Sequence, residues 1–193
     1  MKNMLRPVAL AALAVLFVAA PLLAEDKPMG PPKPAPEMSQ LSYLVGTWNC
    51  AGKTFATPMG PEHAAEGVAH AQMALEGFRL VIHYDEAKTA ASAMPYHVLQ
   101  VVGYDSTQKA FDSTCFDNFG STCAQTSAGW KGDALTFEGT ALMGGQKMGA
   151  RDTFTKVSAT EMKHKGEMQG ADGKWSAGDE ETCHRAGKAA TKK

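Results

Sequence analysis

The stretch that decides the fold is Leu44-Val-Gly-Thr-Trp-Asn-Cys-Ala-Gly52. An apolar run becomes a strand here through Gly46, Thr47 and Trp48. That suits a place where a large ring plugs the floor of an antiparallel barrel and a glycine lets the backbone pass close by. Its partner lies at the other end of the chain, in Asp179-Glu-Glu-Thr-Cys-His-Arg185. If the two strands pair antiparallel, the register that sets Cys183 opposite Cys50 also sets Arg185 opposite Trp48. Side chains alternate faces with period two, so Trp48 and Cys50 share a face, and so do Cys183 and Arg185. One register thus accounts for four residues. It offers a disulfide joining first and last strands, and a guanidinium over an indole worth about 0.5 to 2 kcal/mol. First and last strands meet only in a sheet that closes on itself, which removes the edges that invite aggregation. The competing reading is two free, buried cysteines and a surface arginine.

Between these anchors the chain shows short strand patterns separated by turn signals and no long amphipathic helix, which is the all-β pattern. Strands are expected near residues 44–55, 63–75, 78–85, 96–104, 109–117, 121–130, 134–142, 147–156, 161–168 and 174–185. The expected architecture is a closed antiparallel barrel of about ten strands, with a short helical turn over residues 37–43 covering its mouth or floor. Turn chemistry supports the joints at Glu76-Gly77, Asp105 to Gln108, Lys131 to Asp133, Gly144-Gly145 and Asp172-Gly173.

Residues 1–24 carry Lys2 and Arg6, then an apolar run from Val8 to Leu23, and end on a small residue before Glu25. This reads as a secretory signal peptide, cleaved near Ala24, too short and wrongly flanked to span a membrane. No cysteine follows it to take a lipid. A proline-rich leader occupies residues 25–37, the barrel domain 38–187, and a basic tail 188–193. Losing Lys2 and Arg6 takes the formal net charge from -1 to -3, which gives no electrostatic case for nucleic acid or an anionic membrane. The expected location is periplasmic or secreted. In an oxidising compartment four cysteines mean bridges by default. The absence of Cys-x-x-Cys removes support for zinc ribbons and thioredoxin chemistry.

Cys115-Phe-Asp-Asn-Phe-Gly-Ser-Thr-Cys123 reads as a hairpin. Pairing its cysteines leaves residues 118–120 as a three-residue loop with Gly120 at the left-handed position. The local fit favours Cys115 with Cys123 and Cys50 with Cys183. If the preceding turn pairs Tyr104 with Phe111, then Gln100 opposes Cys115, and Val102 opposes Ser113. The Cys115 bridge brings Gln125 to the same face. Gln100, Ser113 and Gln125 are ligand-binding candidates if that face is inward and solvated residues if it is outward.

At this point the residues carry a resemblance. Leu44 to Trp48, Leu75-Glu-Gly-Phe-Arg79, Gly103-Tyr-Asp105, Phe116-Asp117, Gly129-Trp130 with Gly132, Asp172-Gly173 and the terminal Arg185 follow in an order that resembles one bacterial family. It is the domain of unknown function family 1579, whose fold is similar to calycin-type barrels including lipocalins, fatty-acid-binding proteins and nitrobindins. The resemblance covers about residues 38–186. It implies the closed barrel and the pairing of Trp48 with Arg185, and it implies no reaction. Cys115 stands where the pattern leads one to expect a tryptophan, a departure that would enlarge or reshape a cavity.

Catalytic motifs are absent: no Gly-x-Ser-x-Gly, phosphate-binding glycine loop or His-Glu-x-x-His occurs. His63, Glu66 and His70 mimic a metal site, but on a strand His63 and Glu66 point to opposite faces, and no metal is expected. Asp179, Glu180 and Glu181 read as solvation of a strand end. Haem, conceivable from the likeness to nitrobindin, needs an inward axial histidine, for which His83 and His97 are the candidates. Met143, Met148, Met162 and Met168 near His164 suggest copper handling, but they lack a repeat and suit core filling. The leading expectation is a non-enzymatic container that binds a small, partly apolar molecule without a cofactor. The alternatives are a structural or envelope-interaction protein with a filled barrel, and a haem binder.

Overall fold

Residues 30–57, 60–90, 92 and 94–187 are described by the structure, a computed structural model. The expected signal peptide, residues 25–29 of the leader and the basic tail lie outside them. The barrel lies within one compact unit that begins at Lys33. Its strands are β1 (Gly46–Thr54), β2 (His63–Ala74), β3 (Arg79–Glu86), β4 (His97–Asp105), β5 (Ala110–Asp117), β6 (Thr122–Ser127), β7 (Trp130–Lys131), β8 (Ala134–Met143), β9 (Gln146–Lys156), β10 (Glu161–Gln169) and β11 (Trp175–Arg185). All neighbours pair antiparallel. β1 pairs with β11, and β6 pairs with β8, so ten strands form a closed ring. The two-residue β7 only laps the end of β8.

Residues 121–130, expected as one strand, are broken between β6 and β7. Gly129 takes φ +97, which turns the chain out of the ladder, and its N–H donates to Ser127 Oγ at 3.2 Å. The break turns Trp130 so that its Nε1–H donates to the Gln40 carbonyl at 2.9 Å. Gln40 belongs to a 3-10 helix, Pro36–Tyr43, opened by a proline whose missing N–H costs a helix start nothing. This helix closes the floor, with Met38 and Leu41 buried against Trp48, Leu80, Val102 and Leu135.

The first and last strands meet in the register that aligns Trp48 with Arg185 and Cys50 with Cys183. The Arg185 guanidinium lies 4.0 Å from the Trp48 ring centroid and donates to the carbonyls of Val45 (2.5 Å) and Tyr43 (2.8 Å). The Tyr43 carbonyl ends the 3-10 helix, where no helical partner reaches it, and the Val45 carbonyl lies just past the helix cap at Leu44. Gly46, at φ +131, is needed twice over, because a Cβ there would also stand 2.6 Å from Arg185 Nη1. Trp48 is fully buried, and its indole N–H donates to the Leu44 carbonyl at 2.8 Å.

In the Cys115 to Cys123 hairpin, the Asp117 N–H donates to the Ser121 carbonyl and Gly120 takes φ +81, as a three-residue loop requires. Cys115 and Cys123 are opposed and bonded, as are Cys50 and Cys183.

Candidate functional site

The floor half of the barrel is packed by Trp48, Phe111, Leu135, Phe137 and their neighbours. Above them, from the Cys50–Cys183 bridge to the loops at the opposite end, lies a cavity of about 540 Å³. Its walls follow from strand alternation. Ala69, Ile82, Val98, Ala150, Phe154 and Met162 supply apolar surface from five strands. Tyr96 and Phe119, stacked with centroids 6.2 Å apart, stand in the lining at the loop end.

The face carrying Gln100, Ser113 and Gln125 is turned inward, and all three are buried. Gln100 Nε2 donates to Ser113 Oγ at 2.9 Å. Gln100 and Gln125 line the cavity, whereas Ser113 lies behind them as an acceptor. Gln125 Nε2 donates to Asp152 Oδ2 at 2.6 Å, which leads to the part of the site that sequence reasoning missed.

On the opposite wall His164 (β10) places Nε2 3.4 Å from Asp152 Oδ1 (β9) and Nδ1 3.0 Å from Asp179 Oδ2 (β11). Gly166 makes this possible. It pairs with Asp152 on one side and Asp179 on the other, and a Cβ there would stand 2.3 Å from Asp179 Oδ1. Burial alone would push the His164 pKa down, but Asp179 and Asp152 override it and hold the imidazole protonated well above its ordinary value. Beside it Glu181 accepts a hydrogen bond from the Tyr84 hydroxyl. Tyr84 reaches across β2 because Gly67 leaves the space its ring occupies, a Cβ there being 2.6 Å from the ring. Burial, with Asp179 and Glu86 nearby, raises the Glu181 pKa, while Tyr84 and His164 offset part of the rise. Tyr84 itself is raised far above its ordinary value, by burial first and then by Glu181.

Near the loop end His63 Nε2 meets Glu86 Oε1 at 3.0 Å, and the Pro61 carbonyl followed by Glu86 raises its pKa against burial. Asp117 Oδ1 accepts from the N–H groups of Phe119 (2.9 Å) and Ser121 (2.8 Å).

Several expectations are corrected by these placements. Asp179 and Glu181 face the cavity, and only Glu180 faces solvent, because the inward position of Cys183 fixes the parity of its strand. His83 and His97 face outward, His97 pairing with Asp85 at 2.8 Å, so neither is the inward histidine an axial ligand requires. Of the metal mimic, Glu66 and His70 are exposed on the outer face while His63 lines the cavity. Met143, Met162 and Met168 form cavity wall, and Met148 packs beside the second disulfide. His164 stands within reach of carboxylates, and the ligand atoms of His164, Asp179 and Glu181 lie within 4.8 Å of one another.

No curated protein matches the chain. Among solved structures, the crystal structure of Rv2717c from M. tuberculosis is 12% identical, covers 80% of this chain and 100% of its own, and superposes with a TM-score of 0.61. That likeness bears on the barrel fold alone. A redesigned β-barrel, 16% identical over 77% of this chain and 96% of its own, gives a TM-score of 0.39. Residues 33–185 match the family described as protein of unknown function, DUF1579. With a barrel closed by its first and last strands and a match over nearly all of that barrel, the chain belongs to the DUF1579 family.

Proposed function

We propose that this protein is an exported container that binds a small, partly apolar molecule in the upper half of its barrel. The observation that carries the reading is the cavity. At about 540 Å³ it falls within the ~300 to 1,000 Å³ of ligand pockets and has the expected make-up, apolar walls with a few converging polar groups. A barrel kept only as a structural unit has no need of such a space, because close packing is what stabilises an interior. Gln100, Gln125, Tyr84 and the His164 cluster orient the ligand, Ser113 holding Gln100 in place.

Neither the family nor the ion network indicates a reaction, since both ring nitrogens of His164 are met by carboxylates. The two disulfides are consistent with export, and among the described residues no helix is long and apolar enough to cross a membrane. The signal peptide ending near Ala24 directs the chain to the periplasm or the medium. The ligand is the expected partner, with no nucleic acid, no membrane insertion and no resident cofactor.

Native mass spectrometry of protein isolated without denaturation tests this. The expected result is an adduct of a few hundred daltons that denaturation releases. A bare polypeptide mass from every source, together with failure to take up any added apolar probe, contradicts it.

A further inference from the structure

We propose that the ligand is an uncharged amphiphile bound head inward. Its head, a group such as a carboxamide that sets a donor beside an acceptor, seats on Gln100 and Gln125, and its apolar body reaches out past Met94 and Phe119. This rests on the reading of the barrel as a container and names the chemistry and orientation of what it holds.

The first observation is which polar groups the protein leaves incomplete. Gln100 and Gln125 line the cavity although they are only 8% and 3% exposed. Gln125 Nε2 donates to Asp152 Oδ2, and Asp152 also faces His164, which fixes the Gln125 amide with Oε1 as its free end. Beside that oxygen, at 3.7 Å, stands Cys123 Sγ, and a disulfide sulfur has no hydrogen to donate. Gln100 meets Ser113 Oγ through one end of its amide, and nothing among the described residues meets the other end. A carboxamide offers two N–H donors and a carbonyl acceptor, so each glutamine keeps a donor and an acceptor unmatched. Buried amides left in this state are uncommon and fit completion by a ligand.

The ionisable groups of the same cavity are in the opposite condition. His164 holds Asp152 and Asp179, His63 holds Glu86, Arg151 holds Glu167, and Tyr84 donates to Glu181. Asp117 accepts from two backbone N–H groups of its own hairpin. No carboxyl or imidazole stands alone, so a charged head would leave water without an unclaimed partner to meet. A neutral head with both a donor and an acceptor completes what the two glutamines leave open.

The second observation orders the cavity from inside to outside. Val102 of the packed floor pairs with Ser113, Ser113 pairs with Gln125, and Gln100 lies two positions from Val102 on the same strand, so both amides border the floor. At the other extreme Met94 is 70% exposed and Phe119 37%, yet both line the cavity, which puts them where it opens to solvent. Polar groups inside and apolar groups at the mouth invert the usual order of a folded chain, and they match a molecule that enters head first. The mouth is held in shape by Asn118, which accepts from the His97 N–H at 2.9 Å and donates to the Pro95 carbonyl at 3.0 Å, and by the stacking of Phe119 on Tyr96.

Octanamide and methyl heptyl ketone share one shape and differ only in an amino against a methyl group, while octanoate and octylamine extend the comparison to charge. Each is titrated into the intact protein by calorimetry. Transfer out of water alone favours the ketone. The expected order is the reverse, with octanamide at least ~5-fold tighter than the ketone and tighter than both charged heads. In Gln100→Met the amide preference should fall to within ~2-fold while ketone affinity is unchanged, whereas Phe119→Ser should weaken amide and ketone alike by about 3-fold or more. Ketone binding as tightly as octanamide, or either charged head binding more tightly than octanamide, overturns the assignment of the head and leaves the container standing. Undiminished binding of both by Phe119→Ser overturns the head-inward orientation. Failure of every probe to bind overturns the assignment and the container together. Because the wild-type series alone decides the head group, the proposal stays testable if a variant does not fold.

Discussion

Arg185 holds three things at once: the Trp48 ring, the carbonyl of Tyr43 and the carbonyl of Val45. Truncating it orphans the Tyr43 carbonyl at the helix end and the Val45 carbonyl just past it, as well as removing the ring contact. Arg185→Ala should therefore cost about 2 to 4 kcal/mol in urea unfolding, and Arg185→Lys most of that, since an ammonium lacks the planar fork. Gly46→Ala should cost about 1 to 3 kcal/mol for strain at φ +131, with the guanidinium displaced besides. A loss below about 0.5 kcal/mol in Arg185→Ala would mean that the floor does not depend on this group. His164 gives a second test at this scale. Its folded pKa is raised above the ordinary 6.5, so the native state binds more protons than the unfolded chain between those values. The stabilisation is fully present below about pH 6.5 and is lost as pH rises through the folded value. His63 and Glu181, raised as well, act with the same sign. Stability should therefore fall as pH rises, from about 4.5 upward through Glu181 and more steeply above about 6.5 through the two histidines, with a flatter slope above 6.5 in His164→Gln. A wild-type profile that rises with pH contradicts the network. The cluster itself was half legible in the sequence. Once Cys183 is set inward, Glu181 and Asp179 follow by alternation. That Gly166 admits both aspartates to His164 could not be read, because it depends on β9 and β11 flanking β10, which is a property of the closed ring.

At the scale of elements, strands and turns were nearly all legible, because each turn carries its own chemistry. Asp105 Oδ1 accepts from the N–H groups of Thr107 and Gln108, and Gly120 takes the left-handed loop position. The break between β6 and β7 was not, since Gly129 within a strand pattern signals either a bulge or a turn, and contact with the N-terminal helix decides which. The two bridges act on different lengths of chain. Cys50 and Cys183 are separated by 133 residues, whereas Cys115 and Cys123 are separated by 8. On loop-closure entropy the long bridge should be worth about 5 kcal/mol and the short one about 2.5 kcal/mol. Thermal unfolding of Cys50→Ala/Cys183→Ala should accordingly show the larger drop in Tm. An equal or smaller drop would indicate that the unfolded chain is not released by opening the ring.

At the scale of the whole molecule, the barrel is divided into a packed floor and a hollow upper half. The large buried side chains, Trp48, Phe111, Phe137 and the leucines, gather toward the helix-covered end. Toward the loops the inward positions are held by small or polar residues such as Ala150, Gly166, Ser121 and Gln125. The sequence pattern shows which residues share a face but not how far along the barrel each one sits, so it left open whether the interior is filled. The two disulfides are consistent with export, and the ring of strands encloses a space of about 540 Å³. The most direct measurement of this division is uptake of the neutral, environment-sensitive dye Nile red by the folded protein, compared with an Ala150→Phe variant that places a ring in the cavity wall. The account predicts saturable, blue-shifted emission in the wild type and its loss in the variant, with the Tm of the two within about 5 °C. A wild type that takes up no dye, or a variant that takes it up equally well, would contradict the hollow upper half.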